Sequence, residues 1–218
     1  MPVSSSAPRL PEHLEPLTPV LEDDARWEDA AIDNLAAAGA RARDLDVVRC
    51  RLTSCDLSGA QLKSLTLLDC EVRGGNLANL TAIGATITRC TFTGCRLTGL
   101  ALPEARIEDV RFSDCLIDLA ALGFARLHRV LFENCVLRDA DFREAIFTGV
   151  DVERCDLSGA SLHGARFVRS SLRGCTFDGL QGVEGLRGAA LPWSDLVGLT
   201  GTFAAALGIR VLDEGDAG

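Results

Sequence analysis

A five-residue period runs through most of this chain and constrains its fold more than any other feature. From Val47 to Phe177 every fifth residue is apolar, and these 27 positions hold only Leu, Phe, Ile, Val and one Ala. The residue two places before each of them is small or apolar, and all nine cysteines occupy that position. Helices repeat at about 3.6 residues and strands at about 2, so neither element alone produces this spacing. The pattern predicts a coil with two inward side chains per five residues.

The last position of each five predicts a corner. It is glycine in ten of the 27 repeats, for example at Gly94, Gly159 and Gly174, and glycine permits the backbone to turn sharply. Residues of one kind also recur every 20 positions, which predicts four sides per turn and neighbouring coils about 4.8 Å apart. These ladders are Phe92, Phe112 and Phe132; Cys50, Cys70 and Cys90; Cys95, Cys115, Cys135, Cys155 and Cys175; and the alternating charges Arg49, Asp69, Arg89, Asp109 and Arg129.

Two segments carry a family resemblance. The stretches CDLSGASLHG (155–164) and LRDADFREA (137–145) resemble the pentapeptide-repeat family, whose motif approximates A-(D/N)-L-x-x, and the pattern runs through residues 45–179. The resemblance implies an all-β solenoid, a right-handed four-sided β-helix. We therefore expect about seven to eight coils followed by a C-terminal helical cap.

The N-terminal residues precede the regular repeats. Residues 1–24 are rich in Pro and Ser and are expected to form a flexible arm. Residues 25–44 keep the five-residue phase weakly, with two centres that are only Ala. We interpret them as a thin first coil closed by Trp27; the alternative is an amphipathic helix that begins at an Asp cap.

The period ends near Leu180, and residues 180–218 have another pattern. Apolar residues at helical spacing, followed by Gly208, predict a helix over about 193–207. A solenoid needs such a segment to cover its last coil. The apolar stripe either caps its own chain or forms a homodimer contact, and we expect a homodimer. The stripe consists of Leu196, Leu199, Phe203 and Leu207.

No catalytic, cofactor or metal site is predicted. Valine takes the place of cysteine at equivalent positions of one ladder, since Val110, Val130 and Val150 continue the series that begins at Cys50. We therefore expect reduced, buried thiols that act as small apolar residues. His128 and His163 should point outward without a recognisable nucleophile beside them. No glycine-rich phosphate loop follows a strand. The chain is expected not to be an enzyme.

Charge and hydropathy exclude other classes of partner. The net charge is −9, but residues 45–179 carry 17 acidic and 16 basic side chains, without the basic stripe that nucleic acids require. No apolar run is long enough to span a membrane, and the first residues do not resemble a secretory signal. We expect a cytoplasmic protein that binds neither nucleic acid nor membrane.

One stretch places apolar residues on the outside. In CLIDLAALGFA (115–125), Leu116, Leu119 and Phe124 fall at outward or corner positions, and Val136 lies one coil beyond Leu116. A stacked apolar strip is a candidate partner contact. The alternative is a scatter of exposed apolar residues without function.

Two functions remain open. A solenoid with long faces favours a protein-interaction scaffold whose partner the sequence does not identify. The family resemblance also suggests a DNA-mimicking protein that binds DNA gyrase or topoisomerase and modulates it or protects it from quinolones or toxins. Charge opposes the second hypothesis, because the solenoid is nearly neutral and Arg106, Arg126 and Arg166 form a basic row.

Overall fold

Four-sided coils stacked in parallel form the body of the molecule. The computed structural model describes residues 5–210. Its repeats form a parallel β-solenoid of about eight turns, followed by helices at the C-terminus. Strands pair with strands 20 residues away, as in the register Phe92–Phe112–Phe132. The four-sided coil predicted from the period is confirmed.

The four faces are numbered in the order in which the chain reaches them. Face 1 holds residues 46–48 and the segments offset from them by multiples of 20; faces 2, 3 and 4 are defined in the same way from residues 51–53, 56–58 and 61–63. Faces 1 and 2 consist of strands. Faces 3 and 4 consist mainly of isolated bridges, and their turns are closed by hydrogen bonds such as Ala60 N–H to Leu57 O at 3.1 Å.

The elements are short because each side has only five residues. The strands are β1 Glu15–Pro16, β2 Arg26–Glu28, β3 Ala30–Asp33, β4 Arg41–Arg43, β5 Asp46–Val48, β6 Arg51–Thr53, β7 Gln61–Lys63, β8 Thr66–Leu68, β9 Glu71–Arg73, β10 Thr86–Thr93, β11 Arg106–Ser113, β12 Arg126–Glu133, β13 Ile146–Thr148, β14 Asp151–Glu153, β15 Arg166–Val168, β16 Ser170–Arg173 and β17 Ala189–Ala190. The helices are a 3-10 turn at Val183–Leu186, α1 Trp193–Gly198 and α2 Thr200–Ala206. Strands β10 to β12 are longer because each runs across the corner between faces 1 and 2.

Every corner of the solenoid has the left-handed backbone conformation. From Asp24 to Gly179 each fifth residue has a positive φ. Glycine adopts this conformation freely, and Asn and Asp tolerate it better than other residues. The five-residue period in the sequence is therefore a period of corners as well as of core residues.

The core is a set of parallel ladders. The rings of Phe92 and Phe112 stack with centroids 4.9 Å apart, and those of Phe112 and Phe132 are 5.0 Å apart. All nine cysteines are free thiols, and every one except Cys175 is buried. The core positions read from the sequence therefore point inward.

The N-terminal segment lies along the solenoid. Leu17 N–H donates to Ala31 O at 2.8 Å, and the backbone N–H groups of Ser6 and Arg9 donate to carboxylates of the solenoid. The sequence predicts a flexible arm, whereas its described part makes these contacts with the solenoid; residues 1–4 lie outside the described part. Residues 25–44 contain β2, β3 and β4, with Trp27 buried, so they form a coil and not a helix.

The C-terminal segment covers the last coil. The helix expected over about 193–207 is instead two short helices, α1 and α2, which meet at Leu199. Leu199 is fully buried and Phe203 packs against the core, whereas Leu196 is half-buried and Leu207 is 75% exposed. Two of the four residues of the predicted stripe, Leu199 and Phe203, therefore face their own solenoid. Among residues 5–210, no helix is long and apolar enough to cross a membrane.

Candidate protein-interaction surface

Exposed apolar side chains gather on two adjacent faces. Leu116 on face 3 is 47% exposed, and Leu119 and Phe124 at the next two corners are 59% and 62% exposed. Val136, one coil beyond Leu116, is half-buried. The four residues singled out from the sequence thus lie at the outward and corner positions expected for them.

The corner residues Leu119 and Phe124 lie on either side of one coil of face 4. Between them lie Ala121, which has only a methyl group, and Gly123, which has no side chain, so the surface between the two bulky residues is low. Both bulky residues have left-handed backbones, with φ of 58° and 61°. This conformation costs a residue such as Leu or Phe about 1–2 kcal/mol, and such strain often accompanies a functional site.

Sequence reasoning missed a further member of this surface. Ile83 lies on face 4 two coils before Gly123 and is 59% exposed. The only signal was the neighbouring Ala82, which occupies a core position normally held by a larger residue and is fully buried. We call Ile83, Leu116, Leu119 and Phe124 the apolar patch.

Positive charge lies beside the patch. At the start of face 4, β4 and β7 line a groove of about 830 Å³ with Arg41, Arg43 and Lys63. Arg43 lies 3.8 Å from the carboxylate of Asp23, whereas Arg41 and Lys63 make no ion pair with any residue that the structure describes. We call this set of three cations the basic groove.

A second cationic group lies next to Phe124. Arg106 and Arg126 are register neighbours in β11 and β12, on face 1 immediately after the corner. Both are exposed, and within residues 5–210 neither forms an ion pair. Like charges on directly opposite residues destabilise a sheet, so an anion that bound here would relieve this repulsion.

The corner between faces 1 and 2 carries the alternating charges, and the N-terminal arm lies on it. Arg89 donates two hydrogen bonds of 2.7 Å to Asp69, and the Arg9 backbone N–H donates to Asp69 at 3.0 Å. Asp109 pairs with Arg129 in the same way. The Arg129 guanidinium holds the pKa of the Asp109 carboxyl below its ordinary value. This corner is occupied by the chain's own arm.

Among residues 5–210, the polar groups near the C-terminal end do not assemble a catalytic site. Ser161 Oγ lies 3.1 Å from Nδ1 of His163, and Asp141 is one coil away from Ser161. The Asp141 carboxylate is instead held by Arg143 Nη2 at 2.7 Å. His128 contacts Glu108 and Arg129, an ion-pair cluster. Among the described residues, no group of three or more His, Cys, Asp or Glu is placed to hold a metal ion.

The cysteines stand in two columns of the core, and every one except Cys175 is buried. Burial raises the pKa of the Cys50 thiol to about 11. The pKa of Cys135, in the other column, is raised to about 12, whereas a hydrogen bond with Cys90 lowers the pKa of Cys70. At neutral pH the thiols of Cys50 and Cys135 are therefore protonated, and a protonated thiol is neither a nucleophile nor a metal ligand.

Part of the repeat region matches known families of repeats. Residues 85–162 match the family described as Pentapeptide repeat region, and residues 147–179 match Pentapeptide repeats (8 copies). Residues 85–179 of the chain are therefore similar to pentapeptide repeats. No curated protein matches its sequence significantly.

Several solved structures are similar to this chain. Full-length QnrB1, a plasmid-mediated fluoroquinolone resistance protein, is 16% identical, with 83% of this chain and 100% of that chain covered and a TM-score of 0.43. HetL from the cyanobacterium Nostoc sp. strain PCC 7120, a pentapeptide-repeat protein involved in heterocyst differentiation regulation, is 21% identical, with 78% and 91% covered and a TM-score of 0.31. Rfr23 from the cyanobacterium Cyanothece 51142 is 14% identical, with 59% and 91% covered and a TM-score of 0.26.

Proposed function

We propose that this chain is a non-enzymatic scaffold that binds a protein partner through the apolar patch. The observation that carries the proposal is the pair Leu119 and Phe124. Each exposes a large apolar side chain at a corner where glycine, Asn or Asp is the low-energy choice. A sequence selected for stability alone has no reason to keep them there, whereas a contact surface does.

The rest of the molecule supports this choice of surface. The arm lies over the corner between faces 1 and 2, and the C-terminal helices cover the last coil. Within residues 5–210, no other segment covers the exposed side chains of the patch on faces 3 and 4. Aromatic and large aliphatic side chains at the centre of an interface contribute most of its binding energy, and Phe124 is 62% exposed.

Comparative affinity capture tests the scaffold function. The intact chain and the double variant Leu119→Asn/Phe124→Asn are used as baits in a native cell extract; Asn tolerates a left-handed backbone, so the fold is retained. The control variant is Val20→Asn/Val168→Asn, which removes exposed apolar side chains outside the patch. A partner that the patch variant loses and the control retains supports the proposal. Equal capture by all three baits would contradict it.

A homodimer is a second part of the proposal. Leu199 and Phe203 are used by the cap, so the outer surface of the helices would form the contact. That surface exposes Trp193 by 79%, Val197 by 54% and Leu207 by 75%. A two-fold contact would bring this patch against itself. Sedimentation should give a dimer for the intact chain and a monomer for Trp193→Ser/Val197→Ser; a monomeric intact chain at tens of micromolar concentration would contradict it.

Binding of DNA gyrase is retained as a second candidate function. The continuous rod of about eight coils supports it. The local charges oppose it, because Asp141 and Asp156 near the C-terminal end are neutralised by Arg143 and Arg138, whereas a DNA mimic needs a dense negative surface. Supercoiling by purified gyrase with a quinolone, titrated with this protein, tests it. If the protein neither inhibits nor protects gyrase at tens of micromolar concentration, gyrase binding is eliminated as a function.

The remaining properties follow from the scaffold proposal. No cofactor or metal is required, and neither nucleic acid nor a membrane is expected as a partner. Nine free thiols favour a reducing compartment. We therefore propose a cytoplasmic location, which fractionation of the native cells would test.

A further inference from the structure

The inward side chains fill the solenoid unevenly along its axis. The large inward position holds no aromatic residue in its first nine repeats, from Val47 to Ile87, whereas the following 18 repeats, from Phe92 to Phe177, hold all seven of its phenylalanines. Successive coils repeat the same four sides in register. Smaller inward side chains therefore leave more space along the axis in the N-terminal half of the core.

A cavity occupies that half of the core. It has a volume of about 40 Å³ and extends from Trp27 in the first coil to Phe112. A second space, among the inward residues from Phe132 to Leu172, has a volume of about 10 Å³. Since one water molecule needs about 10–15 Å³, the first cavity has room for a larger ligand and the second space does not.

The first cavity is closed and apolar. Every residue that lines it is buried, and the surface that these residues present to it is entirely apolar. A buried water molecule needs two to four polar partners, so water gains little here. The lining side chains lack van der Waals contacts on the side of the cavity, and a small apolar molecule would restore them.

One inward position in this region holds an unusually small residue. Ala82 is the one alanine among the 27 large inward positions, and Leu62 and Leu102, its neighbours one coil away on either side, line the cavity. Leu80, two residues before Ala82, is large at a position that mostly holds Cys or Ala, and it also lines the cavity. The space that Ala82 leaves is therefore only partly refilled.

We propose that this cavity binds one small apolar molecule of about the size of a xenon atom or a short hydrocarbon. Dry apolar cavities in protein cores bind such ligands, because a polarisable molecule gains dispersion contacts there without losing hydrogen bonds. The site lies in the interior and shares no residue with the apolar patch. The inference goes beyond the proposed scaffold function, and either can fail without the other.

The phenylalanine ladder provides matched variants. Phe92, Phe112 and Phe132 stack in one ladder. Val72 is the register neighbour before Phe92 and lines the large cavity. Val152 is the register neighbour after Phe132 and lines the small space. Val72→Phe therefore extends the stack into the cavity, whereas Val152→Phe extends it into a region without room.

Xenon titration of the full chain, followed by methyl NMR, tests the proposal. The methyl signals of Leu67 and Ile87, which line the large cavity, should shift and saturate as the xenon pressure rises. Those of Leu157 and Leu162, beside the small space, should not. Xenon should also raise the urea midpoint of the chain, because a ligand that binds only the folded form stabilises it.

The variants separate the cavity from the rest of the core. Val72→Phe should weaken xenon binding at least about tenfold, because the added ring occupies the cavity, and should leave the urea midpoint unchanged or higher. Val152→Phe should bind xenon as the unaltered chain does but have a lower urea midpoint, because the core is overpacked there.

Val72→Leu adds one methylene and should weaken xenon binding about two- to threefold; it decides the question if Val72→Phe does not fold. Three results would overturn the proposal. They are methyl shifts that are absent or rise linearly without saturation, equal shifts in the two halves of the core, and binding that neither substitution of Val72 weakens.

Discussion

Asp109 accepts two hydrogen bonds from Arg129, the residue one coil further along the same corner, at 2.7 Å from Nε and 2.6 Å from Nη2. The same carboxylate accepts the backbone N–H of Ser6 at 3.2 Å. One side chain therefore holds two coils together and anchors the N-terminal arm. Because the Arg129 guanidinium lowers the pKa of Asp109, the carboxylate is ionised at neutral pH.

Removal of this charge should release the arm. Asp109→Asn keeps the shape of the side chain but loses the charge-assisted bonds, which are stronger than neutral ones. We expect trypsin to cleave after Arg9 about three- to tenfold faster. The effect is no larger because the contact is partly exposed, and solvent reduces its contribution to the stability of the bound arm. Asp139→Asn at another corner is the control; unchanged cleavage in Asp109→Asn would show that the arm is held elsewhere.

Acid should have the same effect as Asp109→Asn. A carboxyl whose folded pKa is depressed stabilises the folded form above its unfolded pKa of about 3.9, and this stabilisation is lost as the pH falls through the lower, folded value. Protection of the Ser6 amide from hydrogen exchange, measured by NMR, should be constant between about pH 7 and 5 and decrease below about pH 4. A decrease centred near pH 6 would point to a histidine.

The phenylalanine ladder should dominate the stability of the middle coils. Phe132 is 2% exposed, and its ring lies parallel to that of Phe112 within 6°. Phe132→Ala leaves a cavity and an unpartnered ring, and it should lower the free energy of unfolding by about 3–5 kcal/mol. Phe132→Leu, which refills most of the volume, should cost less than about 1.5 kcal/mol in the same urea titration. Equal losses would show that aromatic stacking and not volume is decisive.

How much the sequence predicts depends on whether a contact needs a particular side chain. The Phe92–Phe112 stack was predictable, because a strict 20-residue period places equal residues in register. The arm was not, since its bonds to Asp69 and Asp109 use backbone N–H groups that every residue except proline has. The same limit applies to the cap: helical spacing indicated the apolar stripe, but not that Leu199 would face the solenoid.

Thiol chemistry should separate Cys175 from the other eight cysteines. Cys175 lies at the open end of its column and is only partly buried, whereas the others are buried. In the folded protein we expect a thiol reagent to label no more than one cysteine rapidly, and Cys175→Ser should abolish that labelling. The remaining thiols should react only after denaturation. Rapid labelling of four or more thiols in the native state would contradict the inward placement.

The fit of the C-terminal cap depends on glycines that approach the solenoid backbone closely, among them Gly185. A Cβ on Gly185, within the 3-10 turn, would overlap the carbonyl oxygen of Leu162. Gly185→Ala should therefore displace the cap and lower the free energy of unfolding by about 1–3 kcal/mol, with faster hydrogen exchange in α2. Gly198→Ala, in α1, meets no atom within 4 Å and should be neutral or slightly stabilising. Similar exchange rates in both variants would show that the cap does not rest on Leu162.

We expect Phe124 to serve contact with a partner and to lower the folding stability of the chain. Its φ of 61° is strained for phenylalanine, so Phe124→Gly should raise the free energy of unfolding by up to about 1 kcal/mol, the relief of the left-handed backbone less the greater freedom of glycine in the unfolded chain. Leu116→Gly is the matched control: Leu116 is also exposed but has an ordinary backbone, and its loss should cost about 0.5–1 kcal/mol. Urea titration measures both changes. If Phe124→Gly is destabilising, the side chain packs productively on its own coil, and its exposure no longer argues for a partner.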